Sequence, residues 1–169
     1  MPLHGLDYGI AATMAKKINT SAGLLLYKFE ALEIYFFLVH PGGPYFTKKD
    51  EGSWTIPKGE IDLYEDELEA AKREFIEETG YLPSGNFIAL HAIQQKGGKI
   101  VKCWAIEGDI DPADLISNTF EMEWPPKSGK MQTYPEIDRG GWFTFAEARK
   151  KINERQISFL EQVIAHEKC

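Results

Sequence analysis

The chain has 169 residues, 43% of them hydrophobic and 12% aromatic, which suits one globular domain with a proper core. A net charge of −7 argues against a nucleic-acid binder, which would need a basic stripe to neutralise phosphates, so DNA is not an expected partner. Small phosphate ligands stay open, because bound cations reverse the local field.

The only cysteines, Cys103 and Cys169, lack metal-ligand spacing, so neither a disulfide scaffold nor a zinc site is indicated. No apolar run is long enough to span a membrane, and no basic segment followed by an apolar one opens the chain. A cytoplasmic protein without a membrane partner is the expectation, with a homodimer as an admissible assembly.

In chain order, residues 1–19 carry Pro2, Gly5 and Gly9 without periodicity and are expected to be a flexible extension. Met14, followed by Ala15, Lys16 and Lys17, resembles an alternative start. Residues 20–169 are expected to form a single domain. Ser21–Phe29 and Glu33–His40 read as strands, the second apolar on both faces as in a strand covered on both sides. Pro41–Ser53 is a turn-rich loop with Lys48 and Lys49, and Trp54–Ile56 is a brief strand before Pro57, Lys58 and Gly59.

Asp66 can cap a helix, with Glu69 completing a capping box. Leu68, Ala71, Phe75 and Thr79 then form one apolar stripe, and Gly80 ends the helix in a left-handed conformation. At about 100° per residue, Glu74, Glu77 and Glu78 share one arc beside that stripe, and Glu67 falls within it. Such a row repels itself and extends into the last turn, where the helix dipole disfavours negative charge. A hard divalent cation, Mg²⁺ with Mn²⁺ as substitute, would relieve the repulsion through carboxylate oxygens. Arg73 can reach Glu77 four residues on, and Glu65 across the loop.

After the helix, Phe87–Gln94 and Lys99–Glu107 read as strands around a Gly97–Gly98 turn. Residues 108–135 read as an irregular stretch with Phe120, Trp124, Pro125, Pro126 and Tyr134. A loop of that length in a compact domain is usually functional. Gly141–Thr144 closes the sheet, Thr144 and Glu147 form a second capping box, and Ile157–His166 makes a last helix. Strands mixed with three helices predict an α/β fold with a mixed sheet.

Gly59, Glu65, Arg73, Glu74, Phe75, Glu77, Glu78, Gly80 and Tyr81 fit the spacing G-x5-E-x7-R-E-U-x-E-E-x-G-U, where U is bulky and apolar. Seven fixed residue types would match by chance with odds on the order of 10⁻⁸ per start position. The segment resembles the Nudix box, and weaker similarity extends over roughly residues 20–165. The flanking W-x-x-P-K-G-E at Trp54–Glu60 is also frequent among diadenosine tetraphosphate hydrolases. The whole looks most similar to bacterial proteins described as nucleoside triphosphate pyrophosphohydrolases.

The resemblance implies an α/β/α sandwich and metal-dependent cleavage of a nucleoside diphosphate linked to another moiety. It implies Glu74 and Glu78 as metal ligands, Glu77 as ligand or base, the Gly59 carbonyl as a further ligand, and Glu65 as supporting those ligands from behind or binding the metal through water. Arg73 would hold a catalytic glutamate in position. A further acid outside the box is expected at Glu136, six residues before Trp142, with Glu121 and Glu123 as competitors. Lys58 is placed to meet a substrate phosphate, Lys48 to contact a polyphosphate tail, and Trp124 and Tyr134 to stack on a base.

The expected substrate is a nucleoside triphosphate or dinucleoside polyphosphate. Alternatives are a nucleotide sensor without turnover, an ADP-ribose or nucleotide-sugar hydrolase, and an RNA 5′-end pyrophosphohydrolase. Position 96, where ADP-ribose hydrolases tend to carry proline and diadenosine tetraphosphate hydrolases a nearby tyrosine, holds lysine.

Overall fold

The computed structural model describes residues 20–168, so the expectations for residues 1–19 and their alternative start lie outside the described residues. The first strands are β1 (Thr20–Glu30) and β2 (Glu33–Pro41), joined by a two-residue turn. Both turn residues, Ala31 and Leu32, have positive φ, the handedness that matches the twist of a tight hairpin. The sheet continues with β3 (Lys58–Glu60), β4 (Ile88–Ala89), β5 (Ile93–Gln94), β6 (Ile100–Glu107) and β9 (Ile137–Thr144). Its spatial order is β4-β6-β1-β2-β9, with β3 added on β1 and β5 on β6. The β1–β6 pairing is parallel and the others are antiparallel, so the sheet is mixed.

Alternation along β1 and β2 sends side chains into two cores. Ala22, Leu24, Leu26, Phe37 and Val39 pack with Ala70, Ala71 and Phe75 of helix α1 (Glu67–Thr79). Leu25, Tyr27, Phe36 and Leu38 pack with Ala148 of α2 (Phe145–Lys151) and Phe159, Leu160 and Val163 of α3 (Ile157–Glu167). A sheet apolar on both faces must be covered on both, which gives the expected α/β/α sandwich.

Several boundaries differ from those the sequence predicts. Trp54–Ile56 is not a strand: it makes isolated bridges from Thr55 to Val39 and from Trp54 to Ile152. Pro57 cannot donate to a ladder, and pairing with β1 begins only at Lys58. The Phe87–Gln94 strand breaks into β4 and β5, while β9 starts four residues before Gly141.

The stretch 108–135 is not irregular throughout. It contains a short 3-10 turn at Pro112–Asp114 and a hairpin of β7 (Thr119–Glu123) and β8 (Met131–Pro135). In β7 the half-buried Phe120 and Met122 alternate with exposed glutamates. That period-two signal is short and is flanked by prolines and glycines. The capping box of α2 is complete. In α1, Asp66 accepts from the Glu69 N–H, but the Glu69 carboxylate bonds Lys72 instead of closing the box.

Candidate active site

Helix α1 carries the carboxylates, and its fit to the sheet decides which are solvated. Glu74 and Glu78 are 9% and 8% exposed, buried beside Phe75 and Thr79. A solvated acidic face would not bury two of its members. Glu67, by contrast, leaves the row to pair with Lys102 of β6.

Arg73 organises the others. Its guanidinium grips both oxygens of Glu65, at 2.8 and 3.0 Å, and donates to Glu74 at 2.8 Å, Glu77 at 3.1 Å and the Glu60 carbonyl at 3.0 Å. A planar fork with several fixed donors can do this, whereas an ammonium cannot. The contact with Arg73 holds the Glu65 carboxyl below its ordinary range. Both Glu65 oxygens face Arg73, so Glu65 stands behind the arginine.

Gly59 of β3 lies directly against the Glu74 carboxylate, where any Cβ would overlap it. Glycine is therefore required by close approach. Lys58, one residue earlier, is half-buried, and burial lowers its proton affinity, followed by the neighbouring charge of Lys99.

Glu136, at the junction of β8 and β9, joins the carboxylates of α1. Burial and then the Glu77 charge raise its pKa, and Glu136 in turn raises those of Glu74 and Glu78. Burial pushes Glu78 furthest, to about 8, with Glu74 as the next cause. The competitors stand apart. Glu123 accepts from the Lys127 and Gly129 N–H groups and closes the β7–β8 turn, and Glu121 is exposed.

Among the described residues, no group of three His, Cys, Asp or Glu side chains already surrounds one point as a metal cage. The donor chemistry nevertheless fits a hard cation. It consists of carboxylate oxygens, those of Glu74 and Glu78 raised in proton affinity by burial first and by neighbouring carboxylates next, which suits Mg²⁺ or Mn²⁺ rather than zinc or copper.

The remaining sequence candidates line a neighbouring surface. Tyr45 meets Trp124 edge-on at 5.1 Å, and Phe120 meets Tyr134 at 6.0 Å. The Phe120 ring covers Gly43. The 41–53 loop and the β7–β8 hairpin thus form one aromatic surface rather than two separate loops. Lys48 is exposed on that loop. The sequence reading overlooked His40. It is fully buried, with its ring nitrogens 2.9 Å from Asp138 and 2.7 Å from the Lys49 carbonyl, and it ties the loop to β9. Only the pairing of β2 with β9 brings these together, so no local signal marks it.

The model of the NUDIX domain matches residues 20–163. The chain belongs to the Nudix family. Among solved structures, an Ap4A hydrolase of C. elegans in a binary complex superposes with TM-score 0.59 at 25% identity, covering 89% of this chain and 98% of that one. The NUDIX domain of Shewanella oneidensis NrtR, complexed with ADP ribose, gives TM-score 0.61 at 14% identity, covering 88% of each chain. A mutT/nudix family protein of Listeria innocua gives 0.59 at 16%, covering 89% and 94%. The last two establish the Nudix fold alone. Comparison with curated proteins returned no significant match. Among the described residues, no helix of this Nudix protein is long and apolar enough to cross a membrane.

Proposed function

We propose that the protein is a metal-dependent pyrophosphohydrolase that cleaves a phosphoanhydride in a nucleoside triphosphate or dinucleoside polyphosphate. The observation that carries this reading is the meeting of Glu136 with the α1 carboxylates, where burial first and neighbouring carboxylates next raise the proton affinity of Glu74, Glu78 and Glu136, beside an arginine that bonds Glu74 and Glu77. Likeness to an Ap4A hydrolase at 25% identity favours substrates with a polyphosphate chain.

Glu74, Glu78 and the Gly59 carbonyl would hold the cation, with Glu77 beside them and Glu65 behind Arg73. A bound divalent cation supplies charge neutralisation on phosphate oxygens and a more acidic water. Arg73 keeps the carboxylates in one orientation, so little reorganisation is needed when substrate arrives. The Glu136 carboxylate would take a proton from the attacking water, a task suited to an acid whose pKa burial and then the Glu77 charge raise above the ordinary carboxylate value. Lys58 would meet a phosphate and Lys48 the outer part of the chain. Trp124 and Tyr134 would offer faces to the base.

The test is turnover by purified protein, with Mg²⁺ or Mn²⁺, of a panel of nucleotide anhydrides beside Glu78→Gln. Hydrolysis lost in the variant is expected. No turnover of any substrate, or equal turnover by the variant, would sink the reading.

A further inference from the structure

At its N-terminal end β1 lies between β3 and β6. Ser21 stands opposite Glu60 and Val101, and Gly23 opposite Lys58 and Cys103. Neighbouring strands lie about 4.8 Å apart, so the backbones of β3 and β6 are separated by about 10 Å across β1, a gap that two lysine side chains can close. Gly23 leaves the way clear. A Cβ there would stand 2.7 Å from the Lys58 Cβ and 3.0 Å from the Ile56 Cδ1. The stem of Lys58 begins over that bare α-carbon.

Lys99, in the turn before β6, lies near enough for its charge to bear on Lys58 more strongly than Glu78, Glu74 or Glu60 does. The charges of two lysines on either side of β1 thus bear on each other, and one of the lysines, Lys58, is half-buried. A third polar group lies between their strands. Ser21 is fully buried, and its Oγ is the buried side-chain polar atom left without a hydrogen-bond partner among the described residues. Alternation places it on the same face of β1 as Gly23 and Leu25. Buried polar groups are nearly always satisfied, so an orphan hydroxyl on the strand between the two lysine-bearing segments points to a missing partner.

The fold also fixes the two loops relative to each other. Gln156, buried at the start of α3, accepts from the Ile56 N–H at 3.0 Å. Its amide group donates to the Thr55 hydroxyl at 2.9 Å and to Gln95 at 3.3 Å. The Gln95 N–H in turn bonds the Lys99 carbonyl at 2.7 Å. One side chain therefore links the segment leading to Lys58 with the turn that carries Lys99.

We propose that Lys58, Lys99 and Ser21 form an anion cradle for a phosphate beyond the one attacked, so that ligands with three or more phosphates in a chain are selected. The idea rests on the phosphoanhydride reading above, and Gln156 is its positioning residue.

The probe is inorganic tripolyphosphate, titrated calorimetrically into the full chain with Mg²⁺, with orthophosphate as the short control. Lys99→Gln, on a surface turn, is expected to weaken tripolyphosphate binding about tenfold and leave orthophosphate unchanged. Ser21→Ala should also weaken tripolyphosphate binding while its melting temperature holds or rises, because an unpaired buried hydroxyl is removed. Wild-type tripolyphosphate affinity in both variants would overturn the cradle. Binding requires no turnover, so the two readings fail separately. Lys99-dependent binding by a protein inert towards every anhydride would remove the hydrolase reading alone. Lys99-independent binding by an active enzyme would remove the cradle alone.

Discussion

The backbone of Asn118 joins the end of α1 to the acid outside it. Its N–H donates to the Glu77 carbonyl at 2.8 Å, and its carbonyl accepts from the Glu136 N–H at 2.8 Å. The Ile116 N–H likewise takes the Thr79 carbonyl at 3.0 Å. Carbonyls in a last helical turn have no partner within the helix, and here an extended segment supplies two. The satisfaction of the helix end is thus what sets Glu136 beside the α1 glutamates. Replacing Glu136 with Gln should lower kcat by about 10²–10³-fold if it moves the proton. Its melting temperature should hold or rise, since one repelling charge is gone. Near-normal steady-state turnover would remove Glu136 from the reaction.

Arg73 contacts Glu65, Glu74 and Glu77 together, so its loss should be felt in both activity and folding. Arg73→Lys is expected to recover little, because one ammonium cannot replace a fork that meets three carboxylates. A stability loss of about 1–3 kcal/mol in thermal or urea unfolding is expected for Arg73→Ala, with a larger relative loss of kcat. A lysine variant with wild-type turnover would show that the fork geometry is not required.

Glu78 gives the metal-free protein a pH dependence of definite sign. Its folded pKa of about 8 lies above the ordinary 4.5, so the folded state keeps a proton that the unfolded state releases. Between those values stability falls as pH rises. Thermal scans in chelator should therefore show Glu78 lowering the melting temperature from about pH 5 towards pH 8, a slope absent in Glu78→Gln. Added Mg²⁺ should raise the melting temperature more at pH 8 than at pH 6, because ligation requires the ionised carboxylate. Equal increments at both values would contradict Glu78 as a ligand.

The β1–β2 turn stores strain away from the site. Ala31 and Leu32 have φ of 52° and 67°, and the Leu32 side chain is fully exposed. Asn-Gly suits that conformation, so the double substitution Ala31→Asn, Leu32→Gly should stabilise by about 1 kcal/mol. Turnover should be unchanged, and denaturant unfolding measures the gain. A loss of stability would mean that the turn conformation differs.

The sequence by itself determined the family, the two-faced sheet and the carboxylate-bearing helix, because these signals are local. Cap, apolar stripe, terminal glycine and carboxylate row all lie within Gly59–Tyr81, and alternation in β1 and β2 shows directly which side chains need cover. Tertiary structure alone decided which of the candidate acids gather at the site. Lys102 of β6 removes Glu67, and closing the β7–β8 turn engages Glu123. The pairing of distant segments also merges two loops into one aromatic surface and sets Lys99 where its charge bears on Lys58. Charge and packing between elements far apart in the chain depend on strand order and register. Those follow from burial of the whole sheet, and no short stretch of sequence encodes them.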